Sequence, residues 1–262
     1  MPIAHISNRS CLLVSGPDAK DFLQGLITQD MNLLDNQDAI YACFLTPQGK
    51  FLHDFLITRS EDSYFLEVLN DEVADLTKRL MMYKLRSNVD VRHASALKIY
   101  AAWAEKGKDD LDDGYRDPRH PKLGARCVTE DALSADADFA DYDAHRITLT
   151  VPDGARDCTP KLSTLYDANM DKMQAISFDK GCFLGQELTA RIHYRGLVKK
   201  RLFTIEGEGT LTSGHEVMNE NGRSVGQIFS ATGSLGLAIL KVDAADNDAL
   251  TDGKHQLTVR NT

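Results

Sequence analysis

Asp179-Lys180-Gly181-Cys182-Phe183-Leu184-Gly185-Gln186-Glu187 sets a cysteine between two glycines, with a lysine two residues before it and an amide and a carboxylate after it. The run that follows, Leu188-Thr189-Ala190-Arg191-Ile192, reads as helix. Residues 185–187 are then the helix entry, and Cys182 lies on the turn feeding it. Gly181 can take a positive φ and leaves room beside the sulfur. A thiol near a helix N-terminus and a lysine ammonium is expected to have a lowered pKa and some thiolate at neutral pH. The chemistry leaves a second reading open, because free cysteine is most often a small buried apolar residue.

Lys180-Gly181-Cys182-Phe183-x-Gly185-Gln186-Glu187, continuing to Arg191 and Arg195-Gly196, resembles the signature of the YgfZ-type folate-binding proteins. These are relatives of the glycine-cleavage T-protein (aminomethyltransferase) that support iron–sulfur cluster assembly and repair. The resemblance is sharp over 179–201, moderate over 9–60, and weak over 104–145 and the C-terminus. It implies an α+β, T-protein-like fold: two ferredoxin-type α+β units, 1–95 and 96–196, around a central cavity, and a small C-terminal β-barrel, 197–262. It also implies tetrahydrofolate in that cavity, Cys182 and Lys180 as the working pair beside it, and iron–sulfur client or assembly proteins as partners.

Composition bounds these expectations. The 262 residues suggest about two domains or three small ones, and 42% apolar content is enough for a real core. A net charge of −9 argues against a nucleic-acid partner, whose footprint is a basic surface. The local cluster Arg191, Arg195, Lys199, Lys200 and Arg201 is either a pocket for an acidic ligand or a solvated basic face. Cys11, Cys43, Cys127, Cys158 and Cys182 are widely spaced and form no Cys-x-x-Cys or zinc pattern. They suggest a reduced, intracellular chain with no metal site of its own, and a poor sole host for an iron–sulfur cluster, which usually takes about four protein ligands. Residues 1–10 lack an apolar signal region and no run of about 18 apolar residues occurs. The expectation is a cytoplasmic protein without a membrane partner.

Periodicity fills in the first unit. Cys11 to Val14 reads as a strand, and Ala19, Phe22, Leu23, Leu26 and Ile27 as the apolar face of a helix fading near Met31-Asn32. Residues 39–46 and 51–58 read as strands joined by Pro47-Gln48-Gly49-Lys50, which is hairpin chemistry. A further strand spans 63–69. Asn70 then caps a helix with Val73, Leu76, Leu80 and Tyr83 on one face, and 89–91 is the last short strand of the unit. Past residue 97 a second unit begins. The acid run 109–113 reads as solvated surface, and 138–145 as helix. From 197 onward, short strands separated by glycine turns read as a small barrel.

Alternation in the strand 51–58 puts Asp54 on a face with Leu52 and Leu56, where a carboxylate must find a partner or a raised pKa. By resemblance Asp54 matches the T-protein's catalytic aspartate, although His53-Asp54 replaces an Asp-Asp pair. Asn70 lies where relatives approach the pterin, and Asp167 stands where they carry glutamate. Arg9 and Arg146 stand where some carry aromatic residues near the folate; arginine can stack on the ring or pair with the glutamate tail. Gln186 and Glu187 complete the candidate contacts. Three functions follow. One is a folate-binding accessory factor for iron–sulfur proteins, in which Cys182 serves transfer, redox or iron ligation and no classical turnover is required. The second is a folate-dependent one-carbon transferase like the T-protein. The third is a thiol enzyme with His193 as the nearest base in sequence.

Overall fold

A computed structural model describes residues 2–103, 111, 114–196, 198–247 and 249–260. The expected acid surface run at 109–113 lies outside the described residues except for Leu111.

The chain opens with β1 (Ile3–His5) and β2 (Arg9–Ser15), then α1 (Ala19–Gln24), β3 (Ala39–Leu45), β4 (Phe51–Ser60), β5 (Ser63–Leu69), α2 (Val73–Lys84) and β6 (Asp90–His93). Five of these strands form one antiparallel sheet in the order β3-β4-β5-β2-β6. The strand, helix, three strands, helix, strand pattern anticipated this sheet. Phe22 and Leu23 of α1 and Leu76 and Leu80 of α2 pack with Leu12, Phe55 and Leu66 on one of its faces. Alternation along the strands sends Cys11, Tyr41, Asp54 and Leu56 to the other face.

Two expectations in this unit change. α1 stops at Gln24, because Gly25 caps it by donating its N–H to Asp21 and the chain leaves the helix toward Thr28. Thr28 Oγ1 accepts from the Cys43 N–H and donates to the Ala175 carbonyl, which holds this segment extended beside β3. Asn70 is not a helix cap. Its amide donates to the Ser7 carbonyl and its Oδ1 accepts from Ser10, so it braces the start of β2.

The second sheet is β1-β7-β9-β8, built from β7 (Lys98–Ala102), β8 (Tyr115–Arg116) and β9 (Ala125–Thr129) with β1 at its edge. Residues 3–5 therefore cross from the amino-terminal segment into the second unit, with Ile3 opposite Ala102. α3 (Phe139–Thr148) begins at Asp138, whose side chain accepts from the Asp141 N–H in a capping box. Ala4, Ile99 and Ala101 of the second sheet share one core with Cys11, Tyr41, Cys43 and Leu56 of the first, so the two sheets face each other.

After a long segment of turns comes α4 (Gln186–Arg195). A closed antiparallel barrel follows: β10 (Lys200–Gly207), β11 (Glu216–Asn219), β12 (Ser224–Thr232), β13 (Leu235–Lys241), α5 (Val242–Asn247), β14 (Leu250–Thr251) and β15 (Gln256–Val259). Ile205, Val217, Ile228, Ala238 and Leu257 fill the barrel. Its outer residues Leu202, Leu237 and Ile239 clasp Ile147 of α3.

Candidate functional site

Most of the candidate residues fall in two places. The first is the layer between the sheets. Asp54 is fully buried on the interior strand β4, and its Oδ2 accepts from the Tyr41 hydroxyl at 2.7 Å. Arg9 Nη2 stands 3.6 Å from the same oxygen, while Arg9 Nε donates to Asp153 and Nη1 to Glu67. Glu67 also accepts from Arg126 at 2.5 Å. Arg126 and Arg119 both donate to Asp117, at 2.8 and 2.7 Å, and both donate to the Tyr142 hydroxyl. Burial pushes the Asp117 carboxyl up, but the two arginines more than reverse this and hold it well below the usual carboxylate range. Arg146, on α3, donates to Asp143, Asp157, the Val151 carbonyl and Ser230, and so ties the sheets to the barrel.

This layer does not fit a folate. A glutamate tail needs arginine free to pair, yet Arg9, Arg119, Arg126 and Arg146 are buried and already matched with carboxylates. Asp54 Oδ1 has no hydrogen-bond partner among the described residues and is the atom best suited to a pterin edge. The Gly154 backbone closes over it: a Cβ there would come within 2.6 Å of that oxygen. Asp167 is directed elsewhere. Its carboxylate accepts from the Thr164 N–H, and it lines a cleft of about 330 Å³ against the barrel with Lys200. The structure thus gathers Arg9 and Asp54 into one network, puts Arg146 in its extension, and leaves Asn70 and Asp167 at other surfaces.

The second place is the loop before α4. Cys182 is exposed there, while Cys11, Cys43, Cys127 and Cys158 are buried. Burial pushes the thiols of Cys11, Cys43 and Cys158 up, so they stay protonated. Lys180 does not serve as a free ammonium beside the sulfur. It donates to the carbonyls of Gln24, Ile27 and Gln29 at 2.6, 2.9 and 2.9 Å, clamping the end of α1. Burial pulls its pKa down to about 8. Gln186 also holds the loop, its Oε1 accepting from the Phe183 N–H, and Glu187 is exposed in the first turn of α4.

Two glycines mount this loop on the β3–β4 hairpin. Gly185 has φ +80°, and a Cβ on it would strike the Thr46 carbonyl; one on Gly49 would meet the Gly185 carbonyl and Leu188 Cβ at 2.7 Å each. Gly181, by contrast, is not among the positive-φ residues and has open space at its Cβ position, so what it supplies is clearance beside Cys182. His193 stacks on Phe178 at 3.8 Å between ring centroids, packing α4 back on the chain that enters the loop.

The sequence did not single out Glu67, Tyr142, Asp153 or Asp157. A signal existed for Glu67, a carboxylate inside the apolar strand 63–69, as for Asp54. Tyr142 lies on α3, and Asp153 and Asp157 sit on a turn segment where no periodicity marks them.

Comparison with known proteins agrees with this architecture. Residues 3–102 match the GCVT N-terminal domain, and residues 199–262 match the CAF17 C-terminal beta-barrel domain. The glycine cleavage system aminomethyltransferase T of Bartonella henselae superposes with a TM-score of 0.77 over 99% of this chain and 84% of that one, at 16% identity, which shows the fold alone. The mitochondrial iron-sulfur cluster assembly factor IBA57 of Homo sapiens is 33% identical over 270 residues, covering 90% of this chain and 76% of the relative. The Mus musculus protein is 32% identical with the same coverage. The YgfZ-type proteins suggested by the motif are a related family. The cytoplasmic expectation is corrected here: the relatives are named as mitochondrial proteins. On identity and coverage together, the chain belongs to the IBA57 family of iron–sulfur cluster assembly factors.

Proposed function

We propose that this protein acts in iron–sulfur cluster assembly by offering Cys182 as a thiolate ligand to a cluster held jointly with a partner protein. The observation that carries this is the isolation of Cys182: it is exposed, and the other four cysteines are buried. Among the described residues no group of three His, Cys, Asp or Glu side chains is placed to hold a metal ion. A cluster usually needs about four protein ligands, so one exposed thiol supplies a fraction of them and a second protein the rest. On ligation the thiol proton leaves to solvent, the sulfur donates an electron pair to iron, and no electron is transferred. The names of the relatives, and the YgfZ-type resemblance of the loop, support the same role.

Tetrahydrofolate is not part of the proposed function, because Arg9, Asp54 and Arg146 are committed to one another's neighbours between the sheets. The one-carbon transferase reading weakens for the same reason: it needs a carboxylate that a substrate can reach, and Asp54 is sealed by Tyr41, Arg9 and Gly154. A thiol enzyme using His193 as base finds that ring stacked on Phe178.

The test is restoration of cluster-dependent enzyme activity in cells lacking the protein. Wild-type chain restores it and Cys182→Ser, at equal abundance, does not. Full restoration by Cys182→Ser would remove the proposed role of the thiol.

A further inference from the structure

The surface beside Cys182 is asymmetric in a way that the loop itself does not explain. α4 runs from Gln186 to Arg195, and of its ten residues only Thr189 is buried. Leu188 and Ile192 flank Thr189 on the half-buried side. Glu187, Arg191, Tyr194 and Arg195, spaced by four, seven and eight residues, line the opposite side and are all exposed. Tyr194 is 75% exposed, and its ring stands edge-to-face against His193. Among the described residues Arg191 and Arg195 make no ion pair, whereas Arg201, from the same sequence cluster, is bound to Asp171 at 2.5 and 2.9 Å.

Charge sharpens the contrast. Residues 179–200 hold five basic side chains and two acidic ones, Asp179 and Glu187, in a chain whose net charge is −9. Exposed tyrosine and arginine are the residue types enriched at interface hot spots. The helix rises about 1.5 Å per residue, so Arg191 and Tyr194 lie within roughly 15 Å of the Cys182 loop. The stacking of His193 on Phe178 and the contact of Gly185 with Gly49 hold helix and loop as one mount.

We infer that the Arg191–Tyr194–Arg195 face of α4 docks an acidic partner protein, the one that carries the remaining thiolate ligands of the cluster shared with Cys182. The inference rests on the proposed role of Cys182. A cluster ligated by thiolates carries net negative charge, and an acidic face around it complements unpaired arginines while the Tyr194 ring supplies an apolar anchor. Glu187, at the loop end of the same face, disfavours partners that place acid there and fixes the direction of docking.

The test uses the full-length protein and a glutathione-ligated [2Fe–2S] complex as an anionic, thiolate-ligated probe, titrated anaerobically by visible circular dichroism at low and high salt. The double variant Arg191→Glu/Arg195→Glu is expected to weaken capture about tenfold at low salt and to remove most of its salt dependence. Arg223→Glu, an exposed charge reversal on the barrel, leaves capture unchanged. Cys182→Ser abolishes the ligation signal. If the double variant captures the probe as well as wild type while Cys182→Ser does not, the docking face is wrong and the role of Cys182 stands. If Cys182→Ser captures it like wild type, the shared-ligand role falls and the docking inference falls with it. In cells, the double variant at wild-type abundance and melting temperature is expected to restore little cluster-enzyme activity; full restoration overturns the inference.

Discussion

Arg9, Arg119, Arg126 and Arg146 lie between the sheets with a carboxylate against each of them. Arg191 and Arg195 stand on α4 with no carboxylate against either among the described residues. The same residue type closes one region of the molecule and leaves the other open. In the closed layer, charges removed from water are tolerable because each arginine stands against an opposite charge, which leaves only single atoms such as Asp54 Oδ1 and Arg9 Nη2 without a hydrogen bond. On α4 the charges remain hydrated, cost little to expose, and stay available to a partner. Where a ligand or partner binds therefore follows from which groups the fold leaves unmatched, and less from which groups a motif contains.

The largest expected effect lies in the closed layer. Arg126→Ala takes one of two arginine partners from each of Glu67 and Asp117 in the core and is expected to cost about 3–5 kcal/mol in urea unfolding. A loss below about 1 kcal/mol would show that water enters this layer and that it is open after all. Acid makes a related attack. Burial raises the carboxyls of Asp117, Asp143 and Asp153, but their arginine partners more than offset this and lower them in the folded state. Depressed folded pKa values mean that this stabilisation is complete above the ordinary carboxylate value near ~4 and is lost as pH falls below it. Thermal melts should hold level from neutrality to about pH 5 and fall steeply below about pH 4. A flat profile through that range would count against the pairing.

Lys180 ties the Cys182 loop to the end of α1 on the outer face of the first sheet. Lys180→Met leaves the carbonyls of Gln24, Ile27 and Gln29 without their donor and should cost about 1–3 kcal/mol, with faster protease cleavage at 179–185. An unchanged cleavage rate would mean that the loop holds its shape without the clamp. Calorimetric titration with tetrahydrofolate is expected to show no saturable heat. Saturable binding that Asp54→Asn removes would restore the inter-sheet layer as a ligand site. The smallest effect on stability belongs to Cys182→Ser, within about 0.5 kcal/mol of wild type, because the side chain is exposed and packs against nothing that its loss would strand.

Much of the first sheet was legible in the sequence because its strands alternate and its helices show an apolar stripe, and both patterns are local. Lys180-Gly181-Cys182 stood out because glycines beside a lone cysteine are a compact chemical signal. Roles that depend on distant partners were not legible. Asn70 looked like a cap until the Ser7 carbonyl and Ser10 hydroxyl were seen beside it. Lys180 looked like a thiolate partner until three carbonyls from residues 24–29 surrounded it. The crossing of residues 3–5 into the second sheet was hidden because three residues carry too short a pattern to show pairing with a strand near residue 100.

By itself the sequence determined the first α+β unit, the hairpin at Pro47-Gln48-Gly49-Lys50, the barrel-like texture after residue 197 and the unusual setting of Cys182. These follow from spacing along a few turns or strands. Only the tertiary structure decided that four arginines would be matched between the sheets, that Lys180 would be a clamp, and that Cys182 and one face of α4 would remain unmatched. Burial and pairing are properties of residues far apart in the chain, and whether a charge is neutralised or left for a partner is settled when the sheets close on each other.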